Sequence, residues 1–170
     1  APAVSDSIVV NGAAQTGSIL LARDANLTET DYFMAGDYIA FSNELHIITS
    51  DVDTTGTGTF IYSLLAGEIV IGKSYTIKSV GDSDFTTIGA ADNNIGTTFT
   101  ADGLGSGTGT VTQNGIPISP PLRKPTVDGA AIDYLFPVLG VFMLTSSASW
   151  DTQPGQISSF TIDAVEDVLA

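Results

Sequence analysis

The sequence predicts an all-β protein, a β-barrel or β-sandwich that carries a small inserted β-module. Eighteen Gly, seven Pro and twenty-one Thr in 170 residues favour strands and turns, because Thr packs well on a pleated surface while Gly and Pro punctuate it. Short apolar runs recur along the chain and are separated by Gly, Asp and Asn turn signals. With 43% apolar and 14% charged residues, the composition supports a packed core and is not that of a disordered chain.

The elements follow in order. Ser7 to Val10 is an apolar run closed by the turn dipeptide Asn11-Gly12. Ile19 to Ala22 is a second strand and Ala25 to Asp31 a polar loop. Ala35-Gly36-Asp37 turns into Tyr38 to Phe41, and Ser42-Asn43-Glu44 leads on to Leu45 to Thr49, which makes a hairpin. Asp51 to Gly58 is a polar loop, and Thr59 to Leu65 resumes as a strand.

From residue 67 to 115 the texture changes. Ile69-Val70-Ile71, Tyr75 to Val80, Phe85 to Ile88, Thr97 to Thr100 and Thr108 to Thr112 read as short strands between Gly/Asp/Asn turns. This is the inserted β-module, and residues 1–66 plus 116–170 form the frame. Pro117, Pro120, Pro121 and Pro125 surround Arg123-Lys124 and predict an extended connector in the polyproline-like or β region. Val138 to Thr145 and Ile157 to Val165 are the last strands, joined by a turn at Trp150 to Gly155.

The charge excludes whole classes of function. Nineteen Asp+Glu against five Lys+Arg give −14, a surface that repels phosphate, so sequence-independent nucleic-acid binding and adhesion to anionic lipid are not expected. The module has five acids against two lysines, so the acidity resides mainly on the frame. There is no Cys, hence no disulfide, thiolate metal site or Cys nucleophile. The apolar stretch Tyr134 to Leu144, broken by Pro137 and Gly140, is shorter than the roughly 20 residues of a bilayer span. Ala1-Pro2-Ala3-Val4 has neither an initiator Met nor the regions of a signal peptide, so the chain is either processed or trimmed, or its true start is missing.

No cofactor, metal or catalytic constellation is expected. Asp51-Val52-Asp53-Thr54-Thr55-Gly56 begins like a calcium loop, yet position twelve is Tyr62 where a Glu should close the shell, so it reads as an acidic hairpin loop. Asp82-Ser83-Asp84 shares the pattern and the weakness. Gly103, Gly105, Gly107 and Gly109 imitate a phosphate loop but lack the following Lys and helix, and instead suit a tight, flexible start to a strand. His46, the single His, is expected to be half-exposed on its strand. Glu166-Asp167 reads as a solvated face, and Asn26-Leu27-Thr28 as a chance match to a glycosylation acceptor. Tyr32, Phe33, Tyr38, Tyr134 and Phe136 are expected mainly in the core. Arg123, Lys124 and Trp150 are the candidate interaction residues: two cations in a very acidic chain, and an aromatic of the kind that dominates binding hot spots.

Two parts of the chain carry a resemblance. Gly72-Lys73-Ser74-Tyr75-Thr76-Ile77-Lys78-Ser79-Val80-Gly81-Asp82-Ser83-Asp84-Phe85-Thr86-Thr87-Ile88-Gly89-Ala90, with Gly96 to Ala101 and Gly105 to Val111, closely resembles a mobile β-module that recurs in structural proteins of tailed bacteriophages, especially tail and fibre components. Val10 to Ser18, Met34 to Ile39, Leu45 to Asp53, Pro120-Pro121-Leu122-Arg123, Val141 to Leu144, Trp150 and Ile157 to Val168 are similar to the C-terminal part of a phage minor tail protein family of the tail-tip or distal-tail kind. In that family the Pro-Leu-Arg segment follows the hairpin almost directly, whereas here the module separates them. The segment that usually precedes the Asn-Gly-Ala-Gln-Thr-Gly stretch is lacking.

The resemblance implies a structural virion protein of the tail, assembled in the bacterial cytoplasm. It implies self-association into a ring, docking to other virion tail proteins, and no enzymatic activity. Exposed strand edges and the proline connector are the expected contact regions, with Arg123 and Lys124 in inter-subunit ion pairs. The alternative is a capsid decoration or fibre-associated protein whose module meets the host surface or its glycans.

Overall fold

The computed structural model describes residues 7–25 and 28–135, together with the backbone of two short strands, Phe142–Leu144 and Ala164–Glu166. The fold is all-β and sandwich-like, built from antiparallel sheets. β1 (Val9–Val10) pairs with β3 (Ala22–Arg23). β2 (Gly17–Leu20), β4 (Tyr38–Phe41), β5 (Glu44–Ile48) and β11 (Ile116–Leu122) form a four-stranded sheet in the order β2-β11-β5-β4.

β6 (Val52–Thr54), β7 (Phe60–Leu65), β8 (Ser74–Ser79), β9 (Thr98–Thr100) and β10 (Thr110–Asn114) form a five-stranded sheet in the order β6-β7-β10-β8-β9. β12 (Phe142–Leu144) pairs with β13 (Ala164–Glu166); β12 lies within the span expected for it and β13 runs one residue past Val165. The rest of those spans, Phe136 and the Trp150 turn lie outside the described residues.

The hairpin β4–β5 shows how local chemistry sets register. Ser42 and Asn43 both adopt positive φ, 52° and 61°, the two-residue turn whose twist matches antiparallel strands, and Phe41 then faces Glu44. In β8 the pleat sends Tyr75 and Ile77 inward and leaves Lys78 exposed.

Buried apolar residues form two clusters. One gathers frame residues around Tyr32, Phe33, Phe60, Ile48 and Ile118. Within it the rings of Phe33 and Phe60 stack at 5.8 Å, with Tyr32 edge-on to both at 5.0 and 5.6 Å. The other gathers Ile69, Tyr75, Ile77, Phe85, Phe99 and Val111, and Leu64 packs against both. The five-stranded sheet runs through the junction, because β7 pairs from Ile61 to Leu65 with β10.

Three expectations are corrected. Phe85–Ile88 is a 3-10 turn capped by Asp84, whose carboxylate accepts the Thr86 N–H at 3.0 Å. Phe85 and Ile88 are both buried, so the apolar spacing is that of a turn and not of a pleat. Ile69-Val70-Ile71 leaves a second 3-10 turn, Ala66–Glu68, and bends with Ile69 buried while Val70 and Ile71 are exposed. The loop from Asp51 contains β6, bridged to Phe33.

The proline connector is β11, in the interior of its sheet. It tolerates Pro because the register with β2 breaks between Pro117 and Leu122, and because β5 pairs only with Ile118 and Ser119.

Candidate interaction surfaces

The Asn-Gly-Ala-Ala-Gln-Thr-Gly stretch folds into a polar knot. Gln15 donates from Nε2 to the carbonyls of Asn11, Gly12 and Leu21 and accepts the Leu21 N–H at 2.7 Å. Thr126 accepts the Gln15 N–H through its hydroxyl and donates to the Gly12 carbonyl. Asp128 accepts the Gly12 N–H at 2.8 Å and pairs with Arg23 at 2.7 Å, and Arg23 also reaches Asn11 Oδ1 at 3.1 Å. The Arg23 hydrogen bond, with that of Gly12, holds the Asp128 carboxyl below the usual carboxylate range and pushes the Arg23 guanidinium up. Sequence reasoning passed over Arg23, Gln15 and Asp128. A Gln placed among turn-forming residues was the available signal.

His46 is buried, 1% exposed, against the expected half-exposed position. β5 alternates so that Glu44, His46 and Ile48 point inward while Leu45 and Ile47 are half-buried, and the apolar neighbours therefore misled the reading of the face. The ring stacks on Phe41 at 4.9 Å. Nδ1 lies 2.8 Å from the Pro120 carbonyl, an acceptor only, so Nδ1 carries the proton and donates. Nε2 lies 3.3 Å from Glu44 Oε2 and makes no hydrogen bond. Glu44 Oε2 also accepts the Arg123 N–H at 3.4 Å.

This pair therefore latches the end of β11 to the β4–β5 hairpin. Arg123 is exposed just beyond the latch and Lys124 is half-buried. Trp150 lies outside the described residues, so the three candidate residues are not brought together among those described.

The acidic loops fasten backbone. Asp51 accepts the Ala35 N–H at 2.8 Å and Asp53 the Asp31 N–H at 3.0 Å, with Lys78 3.7 Å from Asp53. Asp82 accepts both the N–H and the hydroxyl of Thr108, which lowers its carboxyl from the usual range. Ser83 Oγ accepts the Gly109 N–H at 2.8 Å. No group of three or more metal-ligating side chains is assembled among the described residues.

The glycine run is a close approach of backbones. An added Cβ would lie 2.3 Å from the Ala66 carbonyl oxygen at Gly105 and 2.5 Å from that of Val80 at Gly109.

The outer face of the five-stranded sheet is a field of hydroxyls. The register aligns Ser63, Thr112, Thr76 and Thr98 in one row across four strands. Thr76 and Thr98 share a hydrogen bond of 3.2 Å, as do Ser74 and Thr100. Lys78 Nζ donates to Ser63 at 2.7 Å. A shallow groove of about 210 Å³ lies along this face, lined by Ser74, Tyr75, Thr76, Thr98, Thr112, Gln113 and Asn114. Gln113 accepts the hydroxyl of the buried Tyr62 at 2.8 Å, and burial pushes that phenol up to about 12. Comparison of the chain with protein-family models, with curated proteins and with solved structures gave no match.

Proposed function

We propose that the chain is a structural protein of a tailed-bacteriophage virion, a tail-tip, distal-tail or baseplate component that self-associates and docks to neighbouring tail proteins. One observation carries the reading beyond the resemblance of the two sequence segments. The module-side strands β8, β9 and β10 continue the sheet of the frame strand β7, so the second core is fixed to the first through a hydrogen-bonded ladder and not through a linker. An assembly protein that carries a surface module needs such a mount. In this reading Arg123, whose backbone N–H reaches the Glu44 carboxylate, and Lys124 are the cations that meet acidic neighbours.

Labelling the chain in purified virions, by immunogold or by cryo-EM of tagged particles, tests the reading. Density at the tail tip supports it, and density on the capsid shell overturns it. The second reading, a capsid decoration or fibre-associated protein, is favoured by the hydroxyl row on the module sheet, a surface suited to meeting a host. Copy number per virion separates the two, since a tail ring is present in few copies and a shell decoration in many.

A further inference from the structure

We propose that the outer face of the five-stranded sheet binds neutral polysaccharide. The inference deepens the reading of the module as the host-facing part of a virion protein and rests on it.

Ser63, Thr112, Thr76 and Thr98 stand in register on β7, β10, β8 and β9. At the roughly 4.8 Å spacing of neighbouring strands the row is about 14 Å long. Each hydroxyl offers one donor and two acceptor positions. In the pair Thr76–Thr98 one proton lies between the oxygens, which leaves the other donor and the remaining lone pairs for a ligand.

The groove beside the row is lined by hydroxyl and amide side chains, and none of the residues lining it is charged. At one end of the row Lys78, 3.7 Å from Asp53, donates to Ser63, and the Thr112 hydroxyl donates to the Thr76 carbonyl; in a chain of net charge −14 the groove beyond them is a neutral strip dense in hydrogen-bonding groups. Its complement is a ligand with the same chemistry, a chain of sugars bearing many hydroxyls and no charge.

A protein partner fits less well. Protein interfaces are anchored by exposed aromatic, Met or Arg side chains, and the one aromatic in the groove, Tyr75, is 2% exposed with its hydroxyl engaged by the Val70 N–H at 2.9 Å. Sialylated and sulfated glycans meet the repulsion of the acidic chain.

The test is retention of the full chain on an array of neutral, sialylated and sulfated oligosaccharides. It compares the native protein with Thr98→Val and with the combined Thr76→Val, Thr98→Val, Thr112→Val variant. Val keeps the strand preference and removes only the hydroxyl, and circular dichroism verifies the fold of each.

The native chain is expected to bind neutral oligosaccharides. The triple variant should bind about tenfold or more weakly and Thr98→Val by an intermediate amount, given the size of single hydrogen-bond contributions. Absence of neutral-glycan binding by the folded native chain overturns the proposal. So does binding confined to the acidic glycans, binding unchanged in a folded triple variant, or occlusion of the face by another virion protein. Virion localisation is measured separately. A tail-located chain that binds no neutral glycan sinks the binding face and leaves the structural reading, whereas a glycan-binding chain absent from virions does the reverse.

Discussion

Replacing Glu44 by Ala removes from a buried place the acceptor of the Arg123 N–H and the carboxylate that lies 3.3 Å from His46 Nε2. Both side chains are almost wholly enclosed, Glu44 at 4% and His46 at 1% exposure. Losing a hydrogen bond to a buried charged acceptor costs about 1.5–3 kcal/mol. With a urea m-value of about 2 kcal/mol/M, the unfolding midpoint should fall by roughly 0.7–1.5 M. That is a large share of the roughly 5–15 kcal/mol that holds an ordinary domain. Replacing the pair together, Glu44→Leu with His46→Leu, leaves an apolar contact in place of a broken polar one, and should cost less than Glu44→Ala alone. Urea titrations followed by circular dichroism on the native chain, Glu44→Leu, His46→Leu and the double variant give the coupling energy. If Glu44→Ala lowers stability by less than about 1 kcal/mol, or if the double variant costs the sum of the singles, the pair is not the latch described above.

Gly109→Ala drives a Cβ to 2.5 Å from the Val80 carbonyl oxygen, and should cost about 1–3 kcal/mol in urea unfolding. Gly67→Ala, where an added Cβ meets nothing within 4 Å, should be close to neutral, and equal costs at the two sites would contradict the packing argument. Asp82, Asp92 and Asp128 have folded carboxyls below 3.8, so below that pH the unfolded chain binds more protons than the folded one. Their contribution is fully present above the unfolded value and is lost as pH falls through the folded ones. The urea midpoint should therefore drop on acidification through that window, and drop less in Asp82→Asn. Leu65 and Thr110 are register partners, so replacing residues 66–109 by Asn-Gly should close β7 and β10 into a hairpin and leave a cooperatively folded frame. Deleting residues 67–115 instead removes β10 and should fail to give a cooperative melt, and a folded product from that deletion would show that the shared sheet is dispensable.

The parts of the fold that were legible are those in which local pattern and tertiary burial agree. The Tyr38 to Ile48 hairpin announces itself through a turn that tolerates positive φ between two apolar runs, and β8 through its strict alternation. Where the two disagree, the reading failed. Phe85-Thr86-Thr87-Ile88 has strand propensity throughout, yet Asp84 on one side and the left-handed Gly89 on the other close it into a turn. β11 carries Pro at positions that argue against an interior strand. It remains one because neither neighbouring strand pairs with Pro120 or Pro121, which leaves the Pro120 carbonyl for His46. That accommodation is tertiary, and no window of sequence contains both Pro120 and His46.

The acidity had the most to hide. Asp-rich loops read as incipient calcium sites because alternating carboxylates are what such sites need. Here Asp37, Asp51, Asp53, Asp84, Asp128 and Glu68 each accept a backbone N–H close to a turn. A chain with few strand-free segments that are helical has many loop N–H groups without a partner, and a carboxylate is the strongest neutral-pH acceptor for them. Nineteen acids with five cations can thus be stabilised locally by oriented amide dipoles, with little need for ion pairs or bound metal. The net charge remains on the outside all the same. Among the described residues it surrounds an uncharged groove of hydroxyl and amide side chains on the module sheet.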